Sequence, residues 1–159
     1  MIDNTAASQV ANFSSRLNDE RDALRAFVVL LEKEQQALLS QGIELLLPLA
    51  EAKTQSAHKL AEIANARRQF LNSNTQNLDT AAWILKHAPA SRAVWDEVRE
   101  LAARAHHLNK TNGEVIQLKL RSNQQALTAL LGAAKSTAGL YGRDGQPSLP
   151  TSGRTLGSG

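Results

Sequence analysis

The chain has 159 residues, 42% of them hydrophobic but only 4% aromatic, enough for one domain whose core must be mostly leucine and alanine, which suits helices packed side by side. It contains no cysteine, which excludes a disulfide framework, a thiolate metal site and a cysteine nucleophile. The net charge of +3 is spread thinly: Arg67-Arg68 is the only adjacent basic pair, a pattern expected of a solvated helix face rather than of a surface that tracks phosphates.

The opening "MIDNTAASQV" lacks the basic stretch and apolar run of a signal peptide. The purest apolar run, Phe27 to Leu31, is far shorter than the ~20 residues that cross a bilayer. A soluble cytoplasmic protein without direct membrane insertion is therefore expected.

Heptad spacing organises most of the chain. Val10, Phe13, Leu17, Glu20, Leu24, Phe27, Leu31, Glu34 and Leu38 alternate steps of three and four, and seven of the nine are apolar, which predicts a helix over about 8–40 that Gly42 ends. A second seam, Ile43, Leu46, Ala50, Lys53, Ala57, Leu60, Ala64, Arg67 and Leu71, predicts a helix over about 43–71. So short a connection makes the two antiparallel. Pro48 requires either that the second helix begin near it or that it kink there.

"NSNTQNLD", Asn72 to Asp79, is polar and without period, and reads as a loop. Asp79 or Thr80 caps a short helix over about 80–88, in which Trp83 and Leu85 supply apolar surface; Pro89 stops it, and Ser91 is placed to cap the next. The last helix is expected over about 91–134. Its seam runs Val94, Val98, Leu101, Ala105, Leu108 and Asn112, then resumes one residue late at Ile116, Leu120, Asn123, Leu127, Leu130 and Ala134. Such a stutter locally unwinds a supercoil, and it falls at Asn112-Gly113. One continuous helix is favoured because the seam continues on both sides, with a break at Gly113 as the alternative.

Beyond about residue 136 glycine, proline and serine take over, and the segment 137–159 is expected to be a flexible tail following a helical bundle over 1–136. The fold class expected is all-α: long antiparallel helices in a coiled-coil-like bundle, then the tail.

These residues offer little to catalysis. His106 and His107 are adjacent and so diverge by about 100° on a helix, and His58 and His87 stand alone. The carboxylates Glu32, Glu34, Asp96, Glu97 and Glu100 sit at helix-face spacings beside basic residues, the pattern of solvated ion pairs. No glycine loop follows a strand to hold phosphate. A non-enzyme that needs no cofactor, nucleotide or metal is expected.

Binding is easier to support. Leu120, Leu127, Leu130 and Leu131 can pack inside the bundle or be offered to a partner helix, and spacing alone favours the core. Asn112 and Asn123 in the same seam shift the balance toward a partner or a register device, since a buried asparagine is costly unless paired. The stretch "GLYGRDGQPSL" holds the only tyrosine, Tyr141: either a tight turn, or a linear anchor bringing a large contact area with little side-chain entropy to lose.

With "NKTNGEVIQLKLRSNQQALTALL" followed by "GLYGRDGQ", the chain resembles the FlgN family of cytoplasmic export chaperones for the flagellar hook-filament junction proteins. The likeness is carried by Asn109, Asn112-Gly113, the run Asn123 to Leu127 and the tail Leu140 to Gln146, in the right order. "LEKEQQALLSQGIELLLPLAEAK" is similar in kind to the family's first hairpin, whereas "GAAKSTAG", Gly132 to Gly139, departs from the family's pattern.

The resemblance implies a helical chaperone of the flagellar type III export system that binds the C-terminal helical segments of the two junction (hook-associated) proteins. It keeps them unassembled and delivers them to the cytoplasmic domain of the export gate. The implied cargo contacts lie around Asn123, Gln124 and Leu127, to which the seam adds Leu120, Leu130 and Leu131; the implied gate-docking residues are Leu140, Tyr141, Gly142 and Asp144. The competing expectations are a structural coiled-coil dimer and a basic helical nucleic-acid binder.

Overall fold

A computed structural model describes the backbone of residues 3–74 and 78–138, and the side chains of residues 4–42, 44–74 and 78–132. The chain is all-α: helices α1 (Asp3–Leu39), α2 (Ile43–Asn74), α3 (Thr80–His87) and α4 (Arg92–Ala138), with a 3₁₀ turn (Pro89–Ser91) before α4. No strand occurs among the described residues. Tertiary contacts divide the chain into two units, residues 1–115 and 116–159, with α4 contributing to both.

α1 starts ahead of its seam. Residues 4–9 are exposed and bury nothing, but "NTAASQ" has nothing to break a helix once the turns beyond it are packed, and propagation is cheap after nucleation. At the other end the glycine is not the residue that reverses the chain. Gln41 carries the left-handed φ of 60°, while the Gly42 N–H donates to Ala37 O at 3.1 Å, the six-to-one bond of a Schellman cap. A side chain in that region is strained. Gln41→Gly is therefore expected to raise stability by about 0.5–1 kcal/mol, read as a higher urea midpoint at unchanged slope; an unmoved midpoint would show that the turn carries no such strain.

α2 begins before Pro48 and passes through it. The proline lies in the second turn, where its missing N–H leaves only the carbonyl of Glu44 without the usual partner. The helix also continues past Leu71 into the expected loop. Ser73 Oγ donates to Gln69 O at 2.8 Å, Asn74 Nδ2 to Phe70 O at 2.8 Å, and Gln9 Nε2 to Asn74 Oδ1 at 3.1 Å, so these polar side chains extend the last turn instead of breaking it. Of the expected loop, residues 75–77 lie outside the described residues.

Asp79 caps α3, its carboxylate accepting from the Ala82 N–H at 2.7 Å, and the helix buries Trp83 with Ile84, whereas Leu85, expected on the buried side, is exposed. Ser91 does not cap α4: it is buried, with its hydroxyl 2.8 Å from that of Ser14. α4 is helical through Gly113, and a side chain there would meet nothing within 4 Å. Its last residues, Thr137 and Ala138, fall in the expected tail; residues 139–159 lie outside the described residues.

The core belongs to the first unit. Phe13, Leu17 and Leu24 of α1 meet Leu71, Trp83, Ile84, Ala88 and Val98, with Phe13 and Trp83 ring centres 4.3 Å apart. A second cluster joins Val28 and Leu31 to Ala105 and Leu108 of α4. All nine α1 seam positions are buried or half-buried, both glutamates included.

Those glutamates locate the register of the hairpin. Glu20 takes a two-pronged bond from Arg67 (Nε to Oε2 2.8 Å, Nη2 to Oε1 3.1 Å), and Glu34 Oε1 accepts from Lys53 Nζ at 2.9 Å. Glu20 and Glu34 are two heptads apart, as are Lys53 and Arg67, so the antiparallel alignment that seats one pair seats the other. Two expectations are corrected. Arg67 is not part of a solvated face: it is largely buried, also donates to Thr80 Oγ1 at 2.8 Å, and lies over the Trp95 ring at 4.8 Å. Glu34 is likewise buried rather than solvated. Glu32 and Glu97 do pair at the surface, with Arg104 and Arg25.

Candidate functional site

Over residues 94–112 the α4 seam packs into the first unit. Val98, Ala105, Leu108 and Asn112 are buried, and Val94 and Leu101 half-buried. Asn112, wholly inaccessible, donates from Nδ2 to Leu31 O at 2.9 Å and to Glu34 Oε2 at 3.0 Å, and the second oxygen of that carboxylate holds Lys53. This asparagine therefore closes a polar layer joining α1, α2 and α4 within the unit, the register role rather than the partner role. Its Oδ1 has no hydrogen-bond partner among the described residues.

The second unit presents the rest of the seam. Ile116 is half-buried, whereas Leu120, Asn123, Gln124, Leu127, Leu130 and Leu131 are all exposed, the four leucines between 55 and 66%. This corrects the core placement that spacing alone favours. At 3.6 residues per turn Ile116, Leu120, Leu127, Leu130 and Leu131 share an arc of about 100°, with Asn123 inside it and Gln124 at its border. Leu118, which the seam omits, is also exposed but points to the opposite side of the helix. A contiguous exposed leucine stripe is a candidate interaction surface, because each large side chain that a partner covered would contribute about 1.5–3 kcal/mol before ordering costs.

Other features bear less chemistry. His58, His87, His106 and His107 are exposed, and no group of three or more metal-ligating side chains occurs among the described residues. Near the tip of the α1–α2 hairpin are further exposed leucines that the seams did not indicate, Leu39, Leu45 and Leu47, and Leu45 lines a groove of about 390 Å³ with Lys33, Gln36, Ala37, Ser40, Pro48 and Leu49. Their signal was in the letters, since "IELLLPL" carries more apolar residues than one helical face can bury. The expected docking residues Leu140, Tyr141, Gly142 and Asp144 lie outside the described residues.

No helix among the described residues is long and apolar enough to cross a membrane. No curated protein and no solved structure shows a significant match to the chain. A family model does: the one described as FlgN protein matches residues 1–148, nearly the whole length. An all-α chain with a packed helical unit, a leucine stripe on its last helix that is exposed among the described residues, and that match belongs to the FlgN family, a family of flagellar chaperones.

Proposed function

We propose that this protein is a cytoplasmic chaperone of flagellar type III export that binds the C-terminal helical segments of the two hook-filament junction proteins. By covering those segments it prevents premature assembly, and it then delivers its cargo to the cytoplasmic domain of the export gate. Cargo lies along Leu120, Asn123, Gln124, Leu127, Leu130 and Leu131. The observation that carries this reading is the exposed leucine stripe of α4 in a member of this family. An unassembled protein with an apolar terminal helix needs such a cover, and a few buried leucines are enough for micromolar affinity. The action is physical: no bond is made or broken, and neither nucleotide nor metal enters it.

Calorimetric titration with a purified hook-filament junction protein tests the reading. Saturable binding near one to one is expected; no heat and no complex at tens of micromolar would remove it. Gate docking is assigned to Leu140, Tyr141, Gly142 and Asp144, with Tyr141 as the anchor. Tyr141→Ala is accordingly expected to weaken binding to the gate's cytoplasmic domain by about 2 kcal/mol, roughly thirtyfold, while cargo affinity stays the same. Equal gate affinity for the variant and the parent would sink that assignment.

A further inference from the structure

The segment of α4 that carries the leucine stripe bears charge of one sign. Lys119 lies at one edge of the stripe, next to Leu130, and Arg121 sits about 60° beyond Gln124, off the stripe and toward the back of the helix. Lys135 follows on the same helix, and no acidic residue occurs between Glu114 and Asp144. The first unit carries both signs, and several of its bases have an acid beside them: Glu20 with Arg67, Glu34 with Lys53, Glu32 with Arg104 and Glu97 with Arg25. Among the described residues no carboxylate lies within ion-pair distance of Lys119 or Arg121.

Resting on the chaperone reading for the place of the site, we propose that its occupant is an acidic amphipathic helix. Its apolar stripe covers Leu120, Leu127, Leu130 and Leu131, the flank that runs beside Lys119 carries aspartate or glutamate, and a polar side chain meets Asn123. The leucines supply area, and the flanking charges select the partner and its orientation and speed its encounter. Asn123 inside the stripe discriminates further, since an all-apolar partner would leave its amide unpaired under cover.

The same features disfavour other occupants. A second copy of this helix would offer Lys119 and Arg121 no opposite charge in either orientation, since residues 115–143 contain no acid. An anionic membrane favours more cations than three and aromatic residues at the border, of which residues 116–138 have none. Nucleic acid gains little from a leucine stripe.

The test uses the full-length chain and two synthetic helical peptides that share one leucine stripe, the first flanked by glutamate and the second by lysine. The glutamate peptide is expected to bind at least about tenfold more tightly at ~50 mM NaCl, with the advantage shrinking at ~300 mM as screening shortens the reach of the charges. The double variant Lys119→Glu/Arg121→Glu should reverse the preference with unchanged helicity. Equal affinities, a preference for the lysine peptide, or binding of neither would overturn the proposal. So would binding confined to phosphatidylglycerol vesicles, or a dimer in light scattering that Leu127→Asp dissolves. Should the peptides behave as expected while a junction protein fails to bind, the acidic-helix site stands and the cargo assignment falls. Should a junction protein bind with neither charge preference nor salt dependence, the chaperone reading stands and the acidic partner falls.

Discussion

Replacing Arg67 by leucine is expected to cost about 3–5 kcal/mol of folding stability, an unusually large loss for a charged residue in a helix that sequence places at the surface. The guanidinium holds both oxygens of Glu20, the hydroxyl of Thr80 and the face of Trp95, and so ties α2 to α1, to the start of α3 and to α4. Its side chain is 13% exposed and that of Glu20 only 6%, so water cannot take its place. Removing one partner leaves a buried carboxylate uncompensated. The double variant Glu20→Leu/Arg67→Leu should recover most of the loss, because the penalty lies in the orphaned charge more than in the missing pair. Urea denaturation of the three proteins decides the matter, and a single variant losing under about 1 kcal/mol would mean that the pair behaves as a solvated one.

Leu127→Asp should weaken cargo binding at least about hundredfold, close to 3 kcal/mol, without lowering helicity or the thermal midpoint. Leu127 is 60% exposed, so nothing in the free protein depends on its burial, whereas in a complex the carboxylate would be covered with no partner to receive it. Leu108→Asp is the internal comparison. The residue belongs to the same seam but is buried beside Leu31 and Ala105, and its replacement should unfold the first unit. Equal loss of fold in both variants would return Leu127 to a core, and intact cargo binding in Leu127→Asp would move the cargo elsewhere.

The polar positions in the seams explain most of what sequence reading left out. Glu20, Glu34, Lys53 and Arg67 interrupt otherwise apolar faces, and taken one at a time each looks like a tolerated surface charge. Their equal spacing on the two helices was the available sign that they meet. The triad of buried Asn112 and Glu34 with half-buried Lys53 was less legible, because it needs a third helix whose register no local pattern states. Gln41 shows the same limit at a turn: Gly42 was the reasonable helix stop, but the bond from its N–H to Ala37 O puts the left-handed residue one position earlier.

Periodicity by itself determined that the chain is helical, which residues share a face, that α1 and α2 form an antiparallel hairpin, and that the last seam slips at Asn112-Gly113. The tertiary structure alone decided which parts of those faces are covered. Val98, Ala105 and Leu108 are buried whereas Leu120, Leu127 and Leu130 stand in solvent, although all six occupy equivalent positions of one seam. The reason is that the direction of a side chain follows from the geometry of its own helix, while its burial depends on a second surface arriving from elsewhere in the chain or from another protein.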